Sequence, residues 1–139
     1  MSKEGFRLFS IGKHKEAIEH YKQILDNDPN CLWAYRDKAL NHKMLNDKPT
    51  AVGCLTQAEA RNDNSAVGYA CRALKLFFRG KKEEAFKIFN KAIAEDPKDV
   101  MNLSIYAYCL LLSSKYDEAI EISDQASKTD RSAAWPLII

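Results

Sequence analysis

A chain of 139 residues with 21 basic and 19 acidic side chains, a net charge of +2, has room for one domain with a real core, and no charge excess that would draw it to nucleic acid. Apolar residues make up 46% of it and charged residues 29%, a balance that excludes wholesale disorder. No apolar run approaches the roughly 20 residues that span a bilayer, and the N-terminus MSKEGFRLFSIGKHKEA lacks the long apolar stretch of a secretory leader, so no membrane insertion is expected. Cys31, Cys54, Cys71 and Cys109 lie far apart, without a CxxC pair or a histidine at zinc-ligand spacing. They predict free thiols, a reducing cytoplasmic or nuclear setting, with the cytoplasm expected, and no metal or cofactor.

The periodicity predicts a first helix pair near 2–11 and 14–27, in which Ala17, Tyr21 and Ile24 fall on one helical face. DNDPN at 26–30 breaks the chain. A second pair follows near 32–45 and 48–61, its second helix opened by Pro49, which suits a first helical turn. After RNDNS at 61–65 comes a third pair near 66–79 and 82–95, where Ala85, Phe89 and Ala92 repeat the earlier stripe. EDPKD at 95–99 leads to a fourth pair near 100–113 and 116–129, and KTDRS at 128–132 closes it.

Ala17, Ala51, Ala85 and Ala119 recur at one fixed interval, and Gly5, Ala39, Ala73 and Ala107 recur at the same one. Two columns of small residues predict two closely packed helices per unit. Gly12, Asn46, Gly80 and Ser114 keep the same period and end each first helix, where glycine or asparagine tolerates left-handed backbone. A fixed period in this range marks a unit that cannot bury its apolar face alone and stacks on its own copies. The expected organisation is one domain over 1–139, with units at about 1–31, 32–65, 66–99 and 100–133 and a tail at 134–139.

The third unit, with Tyr69, Ala73, Leu76, Gly80, Ala85, Phe89, Ala92 and Pro97, resembles the tetratricopeptide repeat, and the likeness extends from about residue 1 to 131. Asp63 and Arg131 depart from it by replacing the break proline, and Ser123 by replacing the aromatic of the second helix. The resemblance implies an all-α, right-handed superhelical solenoid of antiparallel helix pairs, first helices lining its concave side. Some members of the family bind the carboxylate tail of heat-shock chaperones through lysines, asparagines and an arginine. The matching positions here are Ser2, Phe6, Asp37, Val67 and Cys71, or, one unit along, Arg36, Leu40, Cys71, Met101 and Ile105, which keep a single cation. That reading is rejected.

Catalytic constellations are missing from the sequence. His14, His20 and His42 show no HExxH spacing, and neither a GxSxG elbow nor a phosphate-binding glycine loop is present. The pairs Glu83–Glu84 and Asp117–Glu118 stand early in second helices, where they favour the positive end of the helix dipole. The chain reads as a non-enzymatic adaptor.

Its expected site is an apolar concave groove. The rows Phe6, Leu40, Leu74, Tyr108 and Phe9, Lys43, Phe77, Leu111 keep the period of the alanine columns, joined by Trp33, Arg36, Val67, Phe78, Met101 and Ile105. Such a groove would hold a protein or peptide partner with an apolar segment. Packing between adjacent helices is the alternative reading of the same rows. In the tail SAAWPLII, Trp135 stands one full period after Met101, as if a fifth unit began. This predicts a homodimer through the C-terminal end, where Trp135, Leu137, Ile138 and Ile139 would join an exposed stripe of Ala119, Ile122 and Ala126. Two other functions stay open: a structural fragment of a larger repeat scaffold, and a bacterial secretion chaperone of this fold.

Overall fold

The computed structural model describes residues 2–61 and 64–129. The expectations that fall on Asp63, on Arg131 and on the tail, including the tail-to-tail homodimer, lie outside the described residues.

Eight α-helices occupy the described residues: α1 (Lys3–Ser10), α2 (His14–Asn27), α3 (Leu32–Met44), α4 (Lys48–Glu59), α5 (Ala66–Phe78), α6 (Lys82–Glu95), α7 (Val100–Leu112) and α8 (Tyr116–Thr129). All eight stand where the periodicity placed them, between the turn residues that break the chain. The starts of α1, α4, α5 and α7 are capped by side chains: Ser2, Asp47, Ser65 and Asp99 accept hydrogen bonds from the backbone N–H of Gly5, Thr50, Gly68 and Asn102. Pro49 lies in the first turn of α4.

Each first helix ends in the same way. Gly12, Asn46, Gly80 and Ser114 have φ of 80, 60, 83 and 60°, and the next residue's N–H bonds back to Leu8, His42, Leu76 and Leu110, each at 2.9 Å. This is a Schellman closure repeated four times, and it sets the turn between the two helices of every unit.

Each first helix packs on its own second helix, and α2, α4 and α6 pack on the first helix that follows. First helices also touch each other, α3 on α5 and α5 on α7, whereas comparable packing between consecutive second helices is absent among the described residues. A stack with first helices together and second helices apart curves with the first helices inside. The small columns make this approach possible: Ala17, Ala39, Ala51, Ala73, Ala85 and Ala107 are all fully buried. At Gly5 even a methyl group would overlap the Tyr21 ring.

The last hairpin corrects one expectation. Ala119 and Ala126 are buried and Ile122 is half-buried, packed with α7, so this stripe is core. The exposed apolar side chains there are Leu112, Tyr116 and Ile120. Apolar nearly all round, α7 is correspondingly buried from Val100 through Ala107 and again at Cys109 and Leu110.

Candidate functional site

The inner face formed by α3, α5 and α7 is closed where an open groove was expected. Leu40, Leu74 and Ile105 are 0% exposed, and Met101, Phe78, Phe77 and Phe9 are also buried. Two bridges from α3 to α7 help to shut this face. Arg36 Nη1 donates to Asn102 Oδ1 at 2.7 Å, and Tyr108 Oη donates to Met44 Sδ at 3.9 Å. Helices two units apart therefore meet past α5, and the periodic apolar rows pack as core. Leu40, Leu74, Phe9, Phe77, Phe78, Met101 and Ile105 are corrected from groove to interior.

Phe6, Lys43 and Tyr108 remain partly exposed and do not line the cleft at Trp33. Trp33, Arg36 and Val67 do come together. They line a cleft of about 400 Å³ with Asp96, Lys98, Asp99, Val100 and Thr129. Trp33 and Arg36 come from the first turns of α3, Val67 from the start of α5, and the acidic residues from the break before α7. Trp33 and Val67 stand one period apart, which is why they occupy equivalent positions on neighbouring inner helices.

The base of the cleft is ionic. Arg36, 1% exposed, donates from Nε to Asp37 Oδ1 at 2.8 Å, and its Nη1 lies 3.4 Å from Asp99 Oδ2. Burial works against the guanidinium charge, but the carboxylates of Asp37 and Asp99 outweigh it and hold its pKa above the ordinary arginine value. For Asp37 burial dominates over the attraction of Arg36, and its carboxyl titrates above the usual aspartate range. Asp37 Oδ2 and Asn102 Nδ2 have no hydrogen-bond partner among the described residues. The cleft thus joins an apolar wall of Trp33, Val67 and Val100 to a rim carrying Asp96, Lys98 and Asp99 above a buried cation.

Sequence reasoning took EDPKD at 95–99 only as a break between units and missed its place in the cleft. The signal was present in Asp99, an N-cap residue whose free carboxylate oxygen is available to Arg36, but nothing local to the break points to a residue 63 positions earlier. His14 and His20 hold structural contacts, with Nδ1 of His14 2.9 Å from Asn41 Oδ1 and Nε2 of His20 2.6 Å from Ser2 Oγ. Among the described residues no group of three or more His, Cys, Asp or Glu is arranged to hold a metal ion, and no helix is long and apolar enough to cross a membrane.

Comparison with known proteins adds the following. The family model described as anaphase-promoting complex, cyclosome, subunit 3 matches residues 41–126, and a tetratricopeptide repeat model matches residues 8–31. The chain is similar to Hsp70-Hsp90 organizing protein 3 of Arabidopsis thaliana, 23% identical over 96 residues, which are 69% of this chain and 17% of that protein. It therefore spans less than a fifth of that relative. Among solved structures, a MamA fragment from Desulfovibrio magneticus RS-1 is 19% identical over 92% of this chain and 72% of that one, with a TM-score of 0.50. YrrB, described as a TPR protein with an unusual peptide-binding site, is 16% identical over 91% of this chain and 66% of that one, also with a TM-score of 0.50. Likeness at this level concerns the fold.

Proposed function

The chain belongs to the anaphase-promoting complex, cyclosome, subunit 3 family of tetratricopeptide-repeat proteins, and on that premise we propose that it is a non-enzymatic interaction module whose cleft at Trp33 and Val67 holds an apolar segment of a partner protein. One observation carries this reading. Trp33 and Val67 are apolar side chains left partly exposed on the inner side, beside a cavity, while Leu40, Leu74, Phe77, Phe78, Met101 and Ile105 are packed away. A tryptophan with access to a partner contributes large area at low cost in conformational entropy. Asp96 and Asp99 on the rim favour a basic residue flanking the apolar segment. A reducing, cytoplasmic setting goes with this function, since all four cysteines are buried free thiols.

The test is a photoreactive phenylalanine derivative at Val67, irradiated in native extract. A discrete protein adduct that disappears on Trp33→Glu, with helical circular dichroism unchanged, supports the cleft. Equal labelling from Lys91 on the outer surface overturns it.

A second reading, a unit of a larger repeat scaffold, is favoured by α8. Phe86 is 7% exposed because Tyr106 of the next unit covers it, at a ring separation of 6.0 Å, whereas its counterpart Ile120 is 54% exposed. A further stacked hairpin would bury Ile120 in the same way.

A further inference from the structure

A second groove lies between α4, α5 and α6, and it shares no lining residue with the cleft proposed above. Arg72, Lys75 and Leu76 share one face of α5, with Arg79 at its C-terminal cap and Lys81 beyond. With Glu59 of α4 and Ile88 of α6 they line a groove of about 230 Å³. Four cations therefore face one carboxylate over an apolar floor of Leu76 and Ile88.

Two of these charges are already engaged. Lys75 Nζ, on a side chain 10% exposed, lies 3.3 Å from Glu59 Oε1. Arg72 donates to Asn64 Oδ1 at 3.1 Å and covers the Tyr69 ring at 4.7 Å. Arg79 and Lys81 are exposed and form no ion pair or side-chain hydrogen bond among the described residues.

The repeat supplies its own control. Positions equivalent to Arg72, Lys75 and Arg79 carry Lys38, Asn41 and Leu45 in the second unit and Tyr106, Cys109 and Ser113 in the fourth. In the fourth unit Tyr106 stacks on Phe89 at 4.9 Å. Since the fold accepts neutral residues at the positions of Lys75 and Arg79, those two cations are not a packing requirement, whereas the position of Lys81 is also lysine in the first and fourth units, at Lys13 and Lys115.

We infer that this groove binds an acidic peptide segment, its carboxylates on Arg79 and Lys81 and an intervening apolar side chain over Leu76 and Ile88. Charge complementarity selects the acid, and the apolar floor selects a peptide over a nucleic acid, whose backbone would also meet Glu83 and Glu84 at the start of α6.

The test titrates acetyl-Glu-Glu-Leu-Glu-Glu-Leu amide into the isotope-labelled full chain and follows amide chemical shifts. Saturable shifts around Arg79, Ile88 and Glu59, weakened by added salt, are expected, with affinity reduced about tenfold or more by Arg79→Glu with Lys81→Glu and unchanged by Lys22→Glu. If the charge-reversed chain does not fold, Arg79→Gln with Lys81→Gln gives the same comparison. No saturable shift, an unchanged affinity in the double variant, or shifts centred on Trp33 and Val67 would each overturn the assignment. Tighter binding of a single-stranded oligonucleotide to the same residues would overturn it in favour of nucleic acid. The Trp33 cleft is tested separately, by crosslinking from Val67, so a failure here and a failure there are distinguishable.

Discussion

Arg36 Nη1 donates to Asn102 Oδ1 at 2.7 Å and thereby ties the second repeat unit to the fourth, past the third. With Asp37 and Asp99 it forms a charged cluster inside the curve of the solenoid. This link draws the inner side together, and the cleft at Trp33 opens beside it.

Removing the cation leaves Asp37 buried without a partner. Arg36→Met is expected to lower unfolding stability by about 3–5 kcal/mol, the usual cost of breaking a buried pair from one side. Arg36→Met combined with Asp37→Leu should recover a large part of it. Urea denaturation of the three chains measures both steps, and equal losses in the single and double variants would show that Asp37 was not the burden.

Gly5 and Tyr21 fit one another at the start of the stack. A Cβ on Gly5 meets the Tyr21 hydroxyl before any other atom, and Tyr21 is 1% exposed, so its ring has nowhere simple to go. Gly5→Ala should cost about 1–3 kcal/mol by overpacking, and Tyr21→Phe in the same chain should reduce that loss. The double-mutant cycle gives the coupling; strict additivity would mean that the two positions do not conflict.

The four left-handed turns are not equally relaxed. Gly80 at φ 83° carries no Cβ, whereas Ser114 adopts φ 60° with one. Gly80→Ala is expected to destabilise by about 1 kcal/mol and Ser114→Gly to stabilise by up to about 1 kcal/mol. Thermal melts of the two variants should shift in opposite directions.

His42 gives a pH dependence with a definite sign. Burial lowers its pKa below the ordinary histidine value, although Asp47 Oδ2 at 3.7 Å opposes this and Lys38 adds to it. The unfolded chain then takes up the proton first. The contribution is fully present above about pH 6.5, where the unfolded imidazole is neutral, and is lost as pH falls from there toward the lower folded value. Denaturation midpoints at about pH 7.5 and about pH 5.5 should differ less in His42→Gln than in the natural chain.

The sequence by itself determined the units. Local rules fix a helix and its ends: an apolar stripe at helical spacing, Ser or Asp at the start, and Gly12, Asn46, Gly80 and Ser114 where the backbone must turn left-handed. The constant period from Ala17 through Ala51 and Ala85 to Ala119 then requires stacking, because no single hairpin covers its own stripe. Only the tertiary structure decided which side of the stack is open. The periodic rows through Leu40, Leu74 and Tyr108 read equally well as a groove or as a core, since burial depends on how tightly successive units rotate. That rotation is a sum of small packing angles with no signature at any one residue. It brings Arg36 within reach of Asn102, seals Leu74 and Ile105 inside, and carries Asp96 and Asp99 from an ordinary chain break to the rim of the cleft beside Trp33.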